Sequence, residues 1–331
     1  MNNIIEQVYC NPDIYKISVP LTGNALKNLN SYVILDHGES LVIDTGFRTE
    51  ECYNTLMEGL RTLGLSPAHT SLFLSHLHSD HIGLAQYFNY PDTTIYMGKE
   101  EYSYYSNMIS GGRNPRGFNG ERFLAEGFPS AELEEAHRSN PARIYLPSET
   151  FPVRELSDQD KIKVGEVELT AILLPGHTPG LMCLYLEKEK IMFTADHVLF
   201  DITPNITSWP GMENPLARYI KSLEKVMTYD VKTVFPAHRN LSGKTMEQRI
   251  AEIIAHHTTR LMEVIDALKE KPGANAYEVA GKLTWSLRGR SWEDAPKKQK
   301  WFAVGETLAH LEYLEAQGRI RKDKENGYYL L

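Results

Sequence analysis

Six residues constrain this chain more than any others: His76-Leu77-His78-Ser79-Asp80-His81, which follow the apolar triplet Leu72-Phe73-Leu74 almost directly. The triplet reads as a short buried strand, so the six residues lie where that strand ends. Three imidazoles and a carboxylate this close together are costly to bury without a counterion. Protonated histidines repel one another, and neutral ones need partners. A bound divalent cation removes that cost. Imidazole and carboxylate suit zinc, iron or manganese, and the absence of thiolates argues against a closed structural zinc site. His76 and His78, two apart, share one side of an extended segment. Asp80 and His81 follow where the chain must turn, so they can address a second cation nearby.

Three further donors stand at the ends of expected strands, each followed by a turn. Pro175-Gly176-His177-Thr178-Pro179-Gly180 sets a histidine in a loop bounded by glycine and proline. Phe193-Thr194-Ala195-Asp196 ends a strand on a carboxylate, and Phe235-Pro236-Ala237-His238 ends another on an imidazole. Four donor-bearing strand ends converge on one rim if their strands belong to one layered unit, and the pattern predicts a two-metal site. The surrounding sequence supports that unit. Tyr32–Leu35 and Leu41–Ile43 flank Asp36-His37-Gly38-Glu39 and predict a hairpin. Helical spacing runs from Thr49 to Leu63 and stops at Gly64. Further strands are expected at Thr94–Met97, Val167–Leu174, Leu181–Leu186, Lys190–Thr194 and Lys232–Phe235, with a helix over Pro215–Thr228. Strands interleaved with helices predict an α/β domain over residues 1–243.

The set of motifs resembles the metallo-β-lactamase superfamily. The His-x-His-x-Asp-His segment, the Gly-His-Thr-Pro-Gly loop, the lone Asp196 and His238, and Val42-Ile43-Asp44-Thr45-Gly46 occur in that family's order over about residues 14–240. The resemblance implies a four-layer αββα sandwich with the metals at one edge of its two sheets. It implies His76, His78 and His177 on one metal, Asp80, His81 and His238 on a second, and Asp196 bridging both. Asp44 is implied to stand behind the ligands and order their loop. The chemistry that follows is hydrolysis by a hydroxide shared between two metals, with Asp80 orienting the water and taking its proton. Zinc is the expected ion, with iron and manganese as the other ions that the donors suit. Among the exported drug-resistance enzymes of the superfamily, one subclass commonly carries cysteine where Asp196 stands, and Met1–Cys10 has neither cationic run nor apolar core, so neither penicillin cleavage nor a signal peptide is expected. The nuclease branch with a large inserted cap needs far more than the 41 residues between Asp196 and His238. The closest resemblance is to metal-dependent hydrolases of the glyoxalase II-like and lactamase-β-2-like groups, which append a winged-helix-like domain.

Composition narrows the substrate. With 35 Lys and Arg against 43 Asp and Glu, the net charge of −8 argues against bulk attraction to nucleic acid or anionic lipid. No apolar run reaches membrane-spanning length. Cys10, Cys52 and Cys183 are too few and too scattered for a disulfide framework, which fits a reducing cytoplasmic setting, and Cys183 reads as a small core residue. Residues 99–150 break the strand rhythm with an aromatic-rich helical insert, read either as an arm packing its own aromatics or as a lid. Within it Tyr102, Tyr105, Arg113 and Arg116 are substrate-contact candidates, as are Asn205 and Trp209 in the segment after Asp196. Residues 244–331 predict helices at Gln248–Lys269, Ala276–Thr284 and Lys298–Gln317, then a hairpin with an Asn326-Gly327 turn. This smaller, mostly helical winged-helix-like domain carries +2 against −10 for the rest, too little charge to argue for nucleic-acid binding. Its His256-His257 pair, with Arg260, reads as packing rather than ligation, because adjacent helical residues point about 100° apart.

The expected activity is hydrolysis of a small-molecule (thio)ester, lactone or phosphodiester, with the aromatic insert favouring a (thio)ester. Two rivals stay open. One is a single-iron sulfur dioxygenase on the same scaffold. The other is a nucleic-acid-binding module or ribonuclease acting through residues 244–331. Oligomeric state is left open by the sequence.

Overall fold

Two sheets form because the apolar runs of each half pair mostly with their chain neighbours. The structure, a computed structural model, describes residues 4–110 and 120–331. In the first sheet β1 (Ile5–Tyr9), β2 (Asp13–Pro20), β3 (Asn28–Asp36) and β4 (Glu39–Ile43) run antiparallel in sequence order. Helix α1 (Glu50–Thr62), capped by the Thr49 side chain, crosses over so that β5 (Ser71–Leu74) lies parallel to β4. After the single turn α2 (Ser79–Ile82), β6 (Ile95–Gly98) adds in parallel. Helices α3 (Lys99–Ser110), α4 (Gly120–Ala125), α5 (Ser130–Arg138) and α6 (Pro141–Tyr145) intervene before β7 (Arg154–Leu156) completes the seven-stranded sheet. The second sheet holds β8 (Lys161–Val164), β9 (Val167–Leu173), β10 (Met182–Leu186) and β11 (Ile191–Ala195), antiparallel in turn. Helix α7 (Pro215–Val226) then carries the chain to β12 (Thr233–Pro236), parallel to β11.

Alternation of side chains gives each sheet two faces to bury. Ile14, Ile34, Leu41, Ile43 and Phe73 of the first sheet meet Leu169, Ala171, Leu184 and Phe193 of the second in one core. The outer face of the first sheet packs on Leu56 and Leu60 of α1, and that of the second on Leu216, Tyr219 and Leu223 of α7. The layers are therefore helix, sheet, sheet, helix, as the resemblance implies. The expected β3–β4 hairpin and α1 are present, whereas β1, β2, β7 and β8 are strands for which the sequence carries no expectation.

The third part holds α8 (Met246–Glu270), α9 (Ala276–Ala280), α10 (Lys297–Ala316) and the pair β13 (Ile320–Lys322) and β14 (Tyr328–Leu330). Two expectations need correction here. The helix expected to reach Thr284 stops at Ala280, whose carbonyl accepts from Trp285 Nε1 instead of continuing the ladder. The final hairpin has no two-residue Asn326-Gly327 turn. The Asp323 amide donates to the Gly327 carbonyl at 2.9 Å, so the turn runs over residues 324–326, and the Asp323 carboxylate accepts from the amides of Glu325 and Gly327. The insert does not pack only on itself: Phe123, Phe128 and Leu133 share a core with Val279, Val304 and Leu308, and Phe123 stacks on Trp301 at 5.4 Å. No helix among the described residues is long and apolar enough to cross a membrane.

Candidate metal centre

Strand polarity brings the donors to one rim. β11 and β12 are parallel, and β9, antiparallel to β10, runs the same way as β11. Their carboxyl ends therefore share an edge, and His177, Asp196 and His238 follow those ends. The loop after β5 meets them because the Ser75 carbonyl accepts from the Met182 amide, 2.9 Å, while the Asn30 amide donates to the Ala237 carbonyl, 2.7 Å. Gly176, at φ +149°, lets the His177 loop lie against α7. A Cβ there would stand 2.5 Å from the Tyr219 Cα.

The seven expected donors fall into two clusters, all buried but the half-buried His78: His76, His78, His177 and Asp196, and Asp80, His81 and His238. Hydrogen bonds at the far side of each ring set which nitrogen faces inward. His177 Nδ1 meets the Asn205 carbonyl at 2.8 Å, and His238 Nδ1 meets the Asn28 carbonyl at 2.8 Å. A carbonyl only accepts, so both rings donate from Nδ1 and turn Nε2 inward. His81 Nδ1 lies 2.7 Å from Asp44 Oδ2, which orients that ring the same way. The inward nitrogens then crowd together: His81 Nε2 and His238 Nε2 are 3.3 Å apart, and His177 Nε2 and His78 Nδ1 are 3.1 Å apart. Each such pair can be satisfied by a shared proton or by a cation between the rings. Asp196 Oδ1, buried with no hydrogen-bond partner among the described residues, adds an unsatisfied anionic oxygen. This donor set fits metal ions.

The electrostatics divide the site into two halves. Burial holds His76 well below the ordinary histidine value, and burial with the neighbouring His177 pushes His78 down to about 3. Burial also lowers His177. These three rings are neutral and ready to ligate. Burial would lower His81 and His238 too, yet the carboxylates of Asp44, Asp196 and Asp80 raise His81, and those of Asp196 and Asp80 raise His238. Against its own burial, Asp80 is held below the usual carboxylate range by His81 and His238.

Asp44 stands behind this half. Its Oδ1 accepts from the Ser75 amide, 2.8 Å, and its Oδ2 from Ser75 Oγ, 2.6 Å, as well as from His81 Nδ1. Asp44→Asn isolates the acceptor role, because asparagine tolerates the left-handed φ of +60° found here. The amide leaves His81 or Ser75 without an acceptor. We expect metal affinity to fall about 10- to 100-fold and stability by about 1–3 kcal/mol. Chelator competition and urea unfolding read the two effects, and wild-type affinity in the variant would refute the orienting role.

Glu101, unnoticed in the sequence, ties the two histidine loops together. Fully buried, it accepts from the Leu77 amide at 2.7 Å and the Gly180 amide at 2.6 Å. Burial pushes its carboxyl up to about 7, against those donors. Among the substrate candidates, Trp209 stacks near His78 at 6.0 Å and donates from Nε1 to the His177 carbonyl, 3.0 Å. Tyr104, not singled out before, reaches the Pro210 carbonyl and the edge of Trp209. The hydroxyls of Tyr102 and Tyr105 instead bond the carbonyls of Phe151 and Glu149, and Tyr105 is wholly buried, so it braces the insert rather than meeting substrate. Asn205 spends its carbonyl on His177 and its amide on Glu306, 2.8 Å. Arg113 and Arg116 lie outside the described residues. Cys183 is a buried core residue.

Comparison with known proteins agrees with this geometry. The profile of the metallo-beta-lactamase superfamily matches residues 26–238, and that of the metallo-beta-lactamase-like C-terminal domain matches residues 294–329. The chain is 26% identical to "Probable metallo-hydrolase YqjP" of Bacillus subtilis (strain 168), over 93% of this chain and 94% of that one. It is 24% identical to "Atrochrysone carboxyl ACP thioesterase dmxR1" of Cryptosporiopsis sp. (strain 8999), over 74% of this chain but 59% of the relative. The crystal structure of a beta-lactamase domain protein from Burkholderia ambifaria superimposes with a TM-score of 0.82 at 26% identity, covering 99% of this chain and 94% of the other. With its profile spanning more than half of the residues, and its donors in place, the chain belongs to the metallo-beta-lactamase superfamily.

Proposed function

We propose that this metallo-hydrolase holds two metal ions and cleaves a small-molecule carboxylic thioester or ester. One observation carries the two-metal reading. Asp196 Oδ1 lies 3.3 Å from His238 Nε2 and 3.6 Å from His81 Nε2, while its Oδ2 lies 3.7 Å from His177 Nε2, so one carboxylate addresses both clusters. Two cations held there would polarise the scissile carbonyl and lower the pKa of a water from about 15.7 toward 7. His76, His78 and His177 supply neutral nitrogens to one ion. His81, His238 and Asp80 Oδ2 would hold the other, and the second carboxylate oxygen of Asp80 would accept the proton of the attacking water.

The thioester choice is supported by relatives named as acyl-carrier thioesterases and by the aromatic flank of Trp209 and Tyr104, which suits an acyl group better than a polyanion. Zinc as the metal, a cytoplasmic setting, and a domain division near residue 243 with a winged-helix-like second part complete the reading. Elemental analysis of protein purified without chelators, followed by thioester, lactone and phosphodiester substrates, tests it. About two equivalents of metal and turnover of the thioester are expected. About one equivalent of iron with thiol-dependent oxygen uptake would replace it by a sulfur dioxygenase. Phosphodiester cleavage with salt-sensitive duplex binding would replace it by a nuclease.

A further inference from the structure

The ring of His177 is set by a carbonyl on the segment 205–209, and that segment is itself held from α10. From Ala303 to Leu311 every residue of α10 is buried, polar ones included. Glu306 Oε2 accepts from Asn205 Nδ2 at 2.8 Å, and the Gly305 carbonyl accepts from the Ser208 amide at 3.3 Å. Gly305 is needed for that approach, since a Cβ there would stand 2.3 Å from Thr207 Oγ1. Nearly two turns further, Glu312 accepts from Ser208 Oγ at 2.8 Å and pairs with Arg122 of the insert. The clamped segment grips His177 twice, through the Asn205 carbonyl on the ring and Trp209 Nε1 on the main chain.

We infer that Glu306 is a positioning residue for the metal centre, holding Asn205 so that its carbonyl keeps His177 in the Nδ1-protonated form with Nε2 free to ligate. The helical carboxy-terminal part is then a structural component of the metal site rather than an appendage. Several groups favour an ionised Glu306. Burial would raise its carboxyl, but His256, His310 and Arg260 hold it at about 2, with Arg260 Nε 3.5 Å from Oε1. His310 is itself fixed by the Glu306 carbonyl, 2.7 Å, and His257 by His310, 3.1 Å. The His256-His257 pair thus belongs to the support of Glu306.

The inference rests on the two-metal reading, and the experiment separates the two. Glu306→Ala, Glu306→Gln and Asn205→Ala are made in the full chain. In metal-free protein, nitrogen-15 NMR of the histidine side chains reads the His177 tautomer directly. Wild type is expected as the Nδ1–H form, and Glu306→Ala and Asn205→Ala as mixtures. Competition with a chromogenic chelator for zinc is expected to show one site weakened about 10- to 100-fold in both variants. Glu306→Gln, which keeps an acceptor oxygen, is expected to restore both readouts. Wild-type tautomer and zinc affinity in Glu306→Ala, even with a lower melting temperature, would make Glu306 a packing residue. If Glu306→Ala does not fold, unchanged readouts in Asn205→Ala overturn the inference equally. Wild type that takes up no zinc would refute the metal reading, while the tautomer measurement would still decide the part of Glu306.

Discussion

Asp196→Ala is expected to lose metal and about three or more orders of magnitude in kcat/KM while the metal-free protein stays folded. The first half follows from position: the two oxygens of this carboxylate face the two donor clusters. Losing a ligand that serves both ions removes several kcal/mol of transition-state stabilisation, and each 1.36 kcal/mol is tenfold in rate. The second half follows from what Asp196 does not do. Its buried Oδ1 accepts no hydrogen bond among the described residues, and its neighbours are imidazoles at 3.3 Å or more. Its removal therefore breaks no short hydrogen bond in the metal-free fold and costs only the attraction of its charge to His81 and His238. Melting curves with and without chelator should separate the two states: wild type drops on chelation, and Asp196→Ala melts near the chelated wild type whether or not chelator is present. Full metal occupancy with normal turnover in the variant would sink the bridging role.

The positions of the donors were readable in the sequence because they depend on short-range patterns. His76 to His81 lie within six residues, and Asp196 and His238 end apolar runs that could only be strands. The strand directions that join those ends are a consequence of the βαβ connection through α7. What stayed hidden acts across long separations. Glu101 sits in the acidic first turn of α3, where Glu100 and Glu101 look like an ordinary solvated pair, yet it reaches Leu77 and Gly180, 24 and 79 residues away. Glu306 is hidden in the same way, since its partner Asn205 lies 101 residues earlier and α10 is buried on every side rather than along one stripe. The aromatics of the insert were visible as a composition shift, but not their partners Trp301 and Tyr277. The expected tight turn at Asn326-Gly327 failed because Asp323 offers its carboxylate to two amides and stabilises a wider loop.

Asp80→Asn should lower kcat about 10²- to 10⁴-fold with a much smaller change in KM. Asp80 lies in the first turn of α2, and its Oδ2 is 3.4 Å from His238 Nε2 and 4.0 Å from His81 Nε2. Of the two carboxylates in the centre, Asp196 is committed to both clusters, which leaves Asp80 as the one whose second oxygen is available to a water. His81 and His238 keep it ionised against its burial, so it is ready to accept a proton throughout the neutral range. Asparagine preserves the shape and one oxygen but carries no charge and cannot take a proton there. The cluster of His76, His78 and His177 is untouched by the change, so metal on that side is expected to remain, and elemental analysis should find more than in Asp196→Ala. Steady-state kinetics across pH decides between base and ligand. A loss of kcat at every pH with metal still bound marks a proton acceptor. An effect confined to KM, or one fully repaired by excess metal, would assign Asp80 to binding alone.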